Sequence, residues 1–328
     1  MKRMGDLYQK IFELDNLELA FWKAQRGKSA KKSVCDFRKN LPENLLSIRK
    51  EFLENNVKMG DYHYFTIHDP KERRICAAAF KERVIHHAVV NVCEEVFSNY
   101  QIYDSYASIK GKGLDPCLNR AIRFCKKYDW YLKLDIHKFY DAIDHVVLLN
   151  ILNGRFKDKE LLNFFARLID TYDTGKTADV AGKKGIPIGN LLSQYFANMY
   201  LSALDHEIKE RLKIKGYVRY MDDFICFSDE KTKLIEAKLK IAEFLSKKLC
   251  LSLNKPQLNK CTFGIPFLSY RVYPNGLKLS MKAKKRFKYR IKEANKTEGI
   301  NKAFALLAFV NRANSLEFRK RALKGICS

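Results

Sequence analysis

The chain has nine cysteines among 328 residues, yet none forms a C-x-x-C pair and their number is odd. A fully paired disulfide framework is thereby excluded, and reduced thiols in a cytoplasm fit best. Seven prolines and 15 glycines are scattered, with no Pro/Gly linker, repeat or low-complexity tract, so domain boundaries are soft. No apolar run is long enough to span a bilayer, which argues against a membrane partner. Met1 to Leu19 is charged throughout, so no secretory leader is expected. Acidic residues are the scarcest class relative to their opposites: 37 Asp and Glu face 62 Lys and Arg, a net charge of +25. Such a surface repels its own kind and attracts polyanions, which makes nucleic acid the expected partner. The excess gathers in Lys23–Lys32 and in Lys278–Lys296, where cations alternate with aromatics around Phe287 and Tyr289. A hydrophobic content of 47% is ample for a large core.

What is present begins with Tyr220-Met221-Asp222-Asp223, two adjacent carboxylates between the apolar stretches Tyr217-Val218 and Phe224–Phe227. Neighbouring carboxylates repel, and a fold tolerates them where a cation neutralises both. Mg²⁺ prefers such oxygen ligands and leaves room for phosphate oxygens. An Asp-Asp turn is also an ordinary solvated hairpin tip. A third acid changes the weighing: Asp135 ends Trp130–Ile136, whose aromatic and branched content predicts a buried strand. Two-metal phosphoryl transfer needs carboxylates converging from separate strands, and Asp135, Asp222 and Asp223 meet that need. Asp141 and Asp144 are competitors, but Asp144 precedes Val146–Leu149 and suits a helix N-cap. His137 and His145 lack metal-ligand spacing and are expected to be structural or surface residues. Elsewhere the periodicity predicts amphipathic helices over Asp6–Gln25 and Asp36–Asn56, a strand pair over Tyr64–Ala79, and a helix over Lys81–Ser98.

These segments resemble the palm of reverse transcriptases from about residue 60 to residue 275. The resemblance implies an α+β right-hand polymerase fold with fingers, an antiparallel-sheet palm and a small helical thumb. Its expected divisions are an N-terminal helical extension at 1–60, fingers at 61–125, palm at 126–277 and thumb at 278–328. Two Mg²⁺ ions, with Mn²⁺ able to substitute, are implied at Asp135, Ile136, Asp222 and Asp223. Pro70–Ile75 resembles the fingers segment in which Lys71 and Arg73 clasp the incoming triphosphate. Fixed cations around the outer phosphates agree with the electrostatics. Gly111-Lys112-Gly113 resembles the turn before the palm strand. Tyr140 stands at the family's sugar-discriminating aromatic, where a ring excludes a ribose 2′-hydroxyl, although core packing is the plain alternative. Tyr220, Met221 and the Phe267-Leu268-Ser269-Tyr270 segment, similar to the primer grip, are implied primer or template contacts, with Ser269 where Gly is usual. Lys284, Lys285 and Arg286 belong to the thumb that grips primer–template backbone.

Ile188-Gly189-Asn190-Leu191-Leu192-Ser193-Gln194 narrows the resemblance. Most reverse transcriptases carry Gln-Gly here and Ser-Pro later; an aliphatic residue before Gly and a closing Ser-Gln resemble the enzymes of diversity-generating retroelements. Ile188, Gly189 and Gln194 are accordingly expected nucleotide contacts, with Gly189 close to the nascent base pair. That family copies a template RNA from a DNA primer with dNTPs, errs at adenines, and directs mutagenic retrohoming in bacterial or phage-infected cytoplasm. Its usual partner is a small basic accessory variability protein, a pentamer. Retron or group II intron-like reverse transcriptases are the alternative, and a non-catalytic RNA-binding protein a more distant one. Only 58 residues follow Tyr270, enough for a small thumb and too few for a further nuclease domain.

Overall fold

The computed structural model describes residues 3–68, 72–172, 183–296 and 300–324, with side chains left undescribed at 292–305 and 322–324. The chain divides into two compact units, each woven from separated stretches. The first comprises Met1–Tyr103, Ile136–His206 and Ala242–Ser252; the second comprises Asp104–Asp135, Glu207–Ile241 and Leu253–Ser328. In chain order the first half holds α1 (Tyr8–Ile11), α2 (Leu14–Ala24), α3 (Lys32–Lys39), α4 (Leu41–Leu53), β1 (Tyr62–Ile67), β2 (Arg73–Ala78), α5 (Phe80–Asn99), α6 (Leu114–Lys127) and β3 (Trp130–Asp135). Then come α7 (Phe139–Ala142), α8 (His145–Asn153), α9 (Lys159–Asp170), α10 (Leu191–His206), β4 (Gly216–Tyr220), β5 (Asp223–Ser228) and α11 (Lys231–Leu249). β6 (Gln257–Lys260), β7 (Ile265–Phe267), β8 (Tyr270–Tyr273), β9 (Gly276–Leu279), α12 (Met281–Lys296), α13 (Ile300–Asn311) and α14 (Leu316–Lys324) follow.

The first unit is helical apart from the antiparallel pair β1–β2. Its core is aromatic: Phe52 stacks on Phe164 at 5.6 Å, and Phe97, Phe156, Phe165 and Phe196 meet edge to face or tilted. Such rings combine large burial with about 0.5–1.5 kcal/mol per pair. Where the sequence predicts one helix over Asp36–Asn56, two form. Pro42 stands in the first turn of α4, where its missing N–H costs nothing, whereas a helix running through it from α3 would lose a hydrogen bond and clash. Asp6–Gln25 is likewise broken, into α1 and α2, at Phe12-Glu13. Asp144 caps α8, its carboxylate accepting from the Val147 N–H at 3.1 Å as expected. His145 is buried, its Nε2 2.7 Å from the Gly185 carbonyl, a structural contact.

The second unit holds an antiparallel sheet in the order β4-β5-β3-β6 and a smaller one in the order β7-β8-β9. Leu132 and Leu134 on β3 and Phe224 to Phe227 on β5 are buried, as strands covered on both faces require. α6 contributes Cys117, Leu118, Ala121, Phe124 and Cys125 to the core that receives Tyr131, Val218, Ile225, Tyr270 and Phe287. The described cysteines carry free thiols. Among the described residues no helix is long and apolar enough to cross a membrane.

Candidate active site and nucleic-acid contacts

β3 and β5 pair with Asp135 opposite Asp223, and β4 and β5 with Tyr220 opposite Asp223. The two-residue turn Met221–Asp222 thus sets Asp222 next to the row that holds the other two acids. Opposed residues share a sheet face, as do residues two apart on one strand, so Lys133 joins Asp135 and Asp223. Lys133 Nζ lies 2.8 Å from Asp223 Oδ1. Burial pushes the Asp223 carboxyl up to about 7; Lys133 opposes the rise, and the negative charges of Asp135 and Asp222 add to it. Asp135 is held at both ends. Asn254 donates from Nδ2 to Asp135 Oδ2 at 2.6 Å and from its backbone N–H to the Asp135 carbonyl at 2.8 Å.

The donor chemistry fits a hard divalent cation. Asp135 and Asp223 repel across one sheet face, Asp222 adds to this from the adjoining turn, and a cation relieves the repulsion. Among the described residues no group of three or more His, Cys, Asp or Glu side chains is placed to hold a metal ion, and Asp223 Oδ1 lies against Lys133 Nζ. Asp135 and Asp222 remain as oxygen donors. Mg²⁺ is commonly bound by one or two carboxylates, with water and substrate phosphate completing its shell. Ile136 presents a buried hydrocarbon side chain, so any ligation there would come from its carbonyl.

The turn carrying Asp222 is strained. Met221 has φ +54°, at a hairpin position that glycine usually fills. Such a conformation costs on the order of 1–3 kcal/mol and persists only where surroundings enforce it.

The expected nucleotide contacts other than the acids lie in the first unit. Tyr140 is partly exposed on α7, its ring 5.7 Å from that of Phe139. Its carbonyl accepts the Ile186 N–H at 2.9 Å, and the Ile188 carbonyl accepts the Cys76 N–H at 2.8 Å, stitching this segment to α7 and β2. Gly189 has φ +116°, and a Cβ there would meet Ile75 Cγ2 at 2.9 Å and the Cys76 carbonyl at 3.1 Å. The close approach expected of Gly189 is therefore made to β2 of the same chain. Gly189 and Gln194 line a cavity of about 360 Å³ with Phe65, Ile75, Lys28 and Arg83. Positive charge crowds it: burial and then Arg83, Lys23 and Lys28 push His87 down to about 4. Arg73 is exposed at the start of β2, while Lys71 lies outside the described residues.

The residues expected on the primer side differ in their exposure. Phe267 and Tyr270 are core residues, 2% and 0% exposed, and the Tyr270 hydroxyl donates to the Phe309 carbonyl at 2.7 Å. The Leu268–Ser269 turn between them is what β7 and β8 present at the surface. Tyr220 is partly buried against the same core, and Met221 is partly exposed at its turn. On α12, Ala283, Phe287 and Ile291 face inward while Lys285 is exposed. Lys284 and Arg286 are half-buried, their cations 5.7 Å from the Phe318 and Phe309 rings respectively. Lys112 of the Gly-Lys-Gly turn donates to the Ser105 carbonyl at 2.9 Å, a contact that braces the turn itself.

Sequence reasoning missed Lys133, Asn254 and Arg219. Lys133 was findable, because a residue two before a strand-end acid shares its face. Asn254 lies more than 100 residues from Asp135 in sequence, and nothing local ties the two. Arg219 precedes the acidic turn, and its complete burial could not be read from charge.

Residues 66–290, more than half of the chain, match the family described as Reverse transcriptase (RNA-dependent DNA polymerase). The chain belongs to that family. It is 28% identical over 141 residues to a putative COX1/OXI3 intron 2 protein of Saccharomyces cerevisiae, covering 40% of this chain and 16% of that protein. It is 26% identical over 150 residues to the group II intron-encoded protein LtrA of Lactococcus lactis, covering 44% of this chain and 24% of LtrA. The chain thus matches less than a quarter of the length of these relatives. Among solved structures it is similar to apo telomerase from Candida tropicalis, with a TM-score of 0.51 and 15% identity over 68% of this chain and 49% of that one. At such identity the likeness concerns the α+β polymerase-type fold alone.

Proposed function

We propose that this chain is an RNA-directed DNA polymerase that extends a DNA primer on an RNA template. The observation that carries the reading is the register of β3 and β5, which sets Asp135 opposite Asp223 with Asp222 on the adjoining turn. Bound Mg²⁺, as two ions, would supply activation of the primer 3′-oxygen and neutralisation of the leaving pyrophosphate. Asp135 and Asp222 would hold the ions, Asn254 would fix the Asp135 carboxylate, and Lys133 would offset the charge of Asp223. Tyr140 would exclude a 2′-hydroxyl, Lys71 and Arg73 would take the triphosphate, and the basic face of α12 would follow the duplex backbone. The fingers, palm and thumb divisions expected above go with this reading. The test is extension of a labelled DNA primer on RNA with dNTPs and Mg²⁺. Absence of product from a folded protein, or equal product from Asp135→Asn, would overturn it.

Within the family, an intron-type role is favoured by the relatives, since LtrA and the yeast protein are described as intron-encoded or intron proteins. A second reading, as a diversity-generating retroelement enzyme with an accessory pentamer, is favoured by Ile188 at the usual Gln position. An aliphatic side chain there offers no hydrogen bond to a frame around the templating nucleotide. Restoring one bond of about 0.5–1.5 kcal/mol would change discrimination roughly 2- to 12-fold. Sequencing cDNA from wild type and Ile188→Gln on one RNA separates the readings. Low and equal adenine error in both proteins speaks for the intron-type role.

A further inference from the structure

We propose that Arg219 is a positioning residue for the acidic turn, acting through the Met221 carbonyl; the inference rests on the polymerase reading above. Arg219 is fully buried at 0% exposure, and its Nη1 donates to the Met221 carbonyl at 3.2 Å. A buried guanidinium is costly unless its hydrogen bonds are useful, and a hydrocarbon of equal size would pack at lower cost. One bond it makes falls on the peptide between Met221 and Asp222, in a turn where Met221 is held at φ +54°. Fixing that peptide fixes where the Asp222 carboxylate points.

The arginine is itself anchored along its backbone. Its N–H donates to the Asp104 carbonyl at 2.9 Å, and its carbonyl accepts the Tyr106 N–H at 3.1 Å. Asp104, 2% exposed, takes Arg120 Nε at 2.8 Å and Lys209 Nζ at 3.0 Å. A chain of contacts thus runs from two cations through Asp104 to the edge of β4, then through Arg219 to the strained residue. This is how a left-handed non-glycine residue is kept in place where chemistry needs it.

If the arginine serves to enforce the left-handed turn, glycine at position 221 removes most of the need for it. The experiment is a double-mutant cycle of Arg219→Met and Met221→Gly with two readouts, primer extension and Mn²⁺ binding followed by electron paramagnetic resonance without nucleic acid. Arg219→Met is expected to lower kcat and weaken Mn²⁺ binding about 10- to 100-fold, with little change in the KM for dNTP. In the Met221→Gly background the same substitution should cost several-fold less. Equal losses in both backgrounds would overturn the proposal and leave Arg219 a packing residue. Should Arg219→Met lack a cooperative melt, Arg219→Lys, which keeps the charge without the fork, is taken through the cycle with the same criterion. If neither variant folds in either background, Arg219 is a folding residue and the proposal fails. Mn²⁺ binding separates this from failure of the polymerase reading: a wild type that binds Mn²⁺ but makes no product sinks that reading alone.

Discussion

Among the described residues, the hairpins closed by Tyr220–Asp223 and by Phe267–Tyr270 each turn on two residues, and both put side-chain-bearing residues where glycine is easier. In the first, between Tyr220 and Asp223, Met221 has φ +54°; in the second, between Phe267 and Tyr270, Leu268 and Ser269 have φ +49° and +73°. The second is anchored by hydrocarbon and rings: Phe267 and Tyr270 are core, and the Ser269 carbonyl accepts the Ser280 N–H at 3.2 Å. The first is anchored by charge, with Arg219 on the Met221 carbonyl and Lys133 on Asp223. Left-handed backbone, at one residue in the first turn and at two in the second, is thus imposed in two ways. Burying the flanks fixes a turn and leaves it chemically plain. Fixing it with charged side chains leaves the Asp222 carboxylate partly exposed on the turn.

The comparison breaks most sharply at the acids. Asp135→Asn or Asp222→Asn should lower Mg²⁺-dependent synthesis on the order of 10²- to 10³-fold or more, because charge stabilisation is lost where it acts on the transition state. RNA affinity, measured by filter binding, should hardly change, since it rests on the basic surface. Near wild-type synthesis by either variant would mean that the acid is misassigned. Asn254→Ala should cost less, about 10- to 100-fold, by loosening Asp135. Raising Mg²⁺ should recover part of that loss. A deficit insensitive to Mg²⁺ would separate Asn254 from the site.

A pH effect attributed to the first hairpin must first be separated from Glu82, another buried carboxyl whose pKa is raised. Burial pushes Glu82 up to about 7, opposed by the Gly60 N–H that its Oε2 accepts at 2.9 Å, with Asp61 adding to the rise. A raised folded pKa favours the protonated form. Its contribution is therefore full below about 4.5 and is lost as pH rises through about 7. His86, pushed down to about 3 by burial, works in the opposite sense, losing stability as pH falls below its ordinary 6.5. Glu82→Gln isolates the first effect: relative to wild type it should gain about 2 kcal/mol in urea-melt stability between pH 5 and pH 8. A constant difference across that range would place the Glu82 carboxyl in a solvated setting.

The smallest expected effect is at the second hairpin. Ser269→Gly removes a left-handed penalty at some entropic cost and should stabilise by about 0.5–1 kcal/mol, a rise of a few degrees in Tm. A lower Tm would show that the serine side chain holds the turn, and would make the two hairpins more alike than the contacts indicate.

The strands at Trp130–Asp135 and around the acidic turn and the cap at Asp144 were legible because periodicity and capping are local. Asp135, Asp222 and Asp223 could be picked out because two strand-end signals pointed to one chemistry. Nothing local showed that Phe267 and Tyr270 turn inward: an aromatic beside a turn reads alike whether it packs or contacts a ligand. Gly189 was legible as a site of close approach, but its partner, β2, is more than 100 residues away in sequence.

By itself the sequence determined the charge that calls for a polyanion, the hydrophobic patterns that make the elements, and the three acids with their spacing. These follow from side-chain chemistry and from the 2.0 and 3.6 residue periods, which need no knowledge of distant partners. Only the tertiary structure decided that Asp223 spends its charge on Lys133, that Asn254 fixes Asp135, and that Arg219 is buried against the Met221 carbonyl. Those are decided by strand register and by burial, and a one-residue slip in register would reverse every face. The charge of a side chain is written in the chain; what neutralises it depends on which residue lies across the sheet.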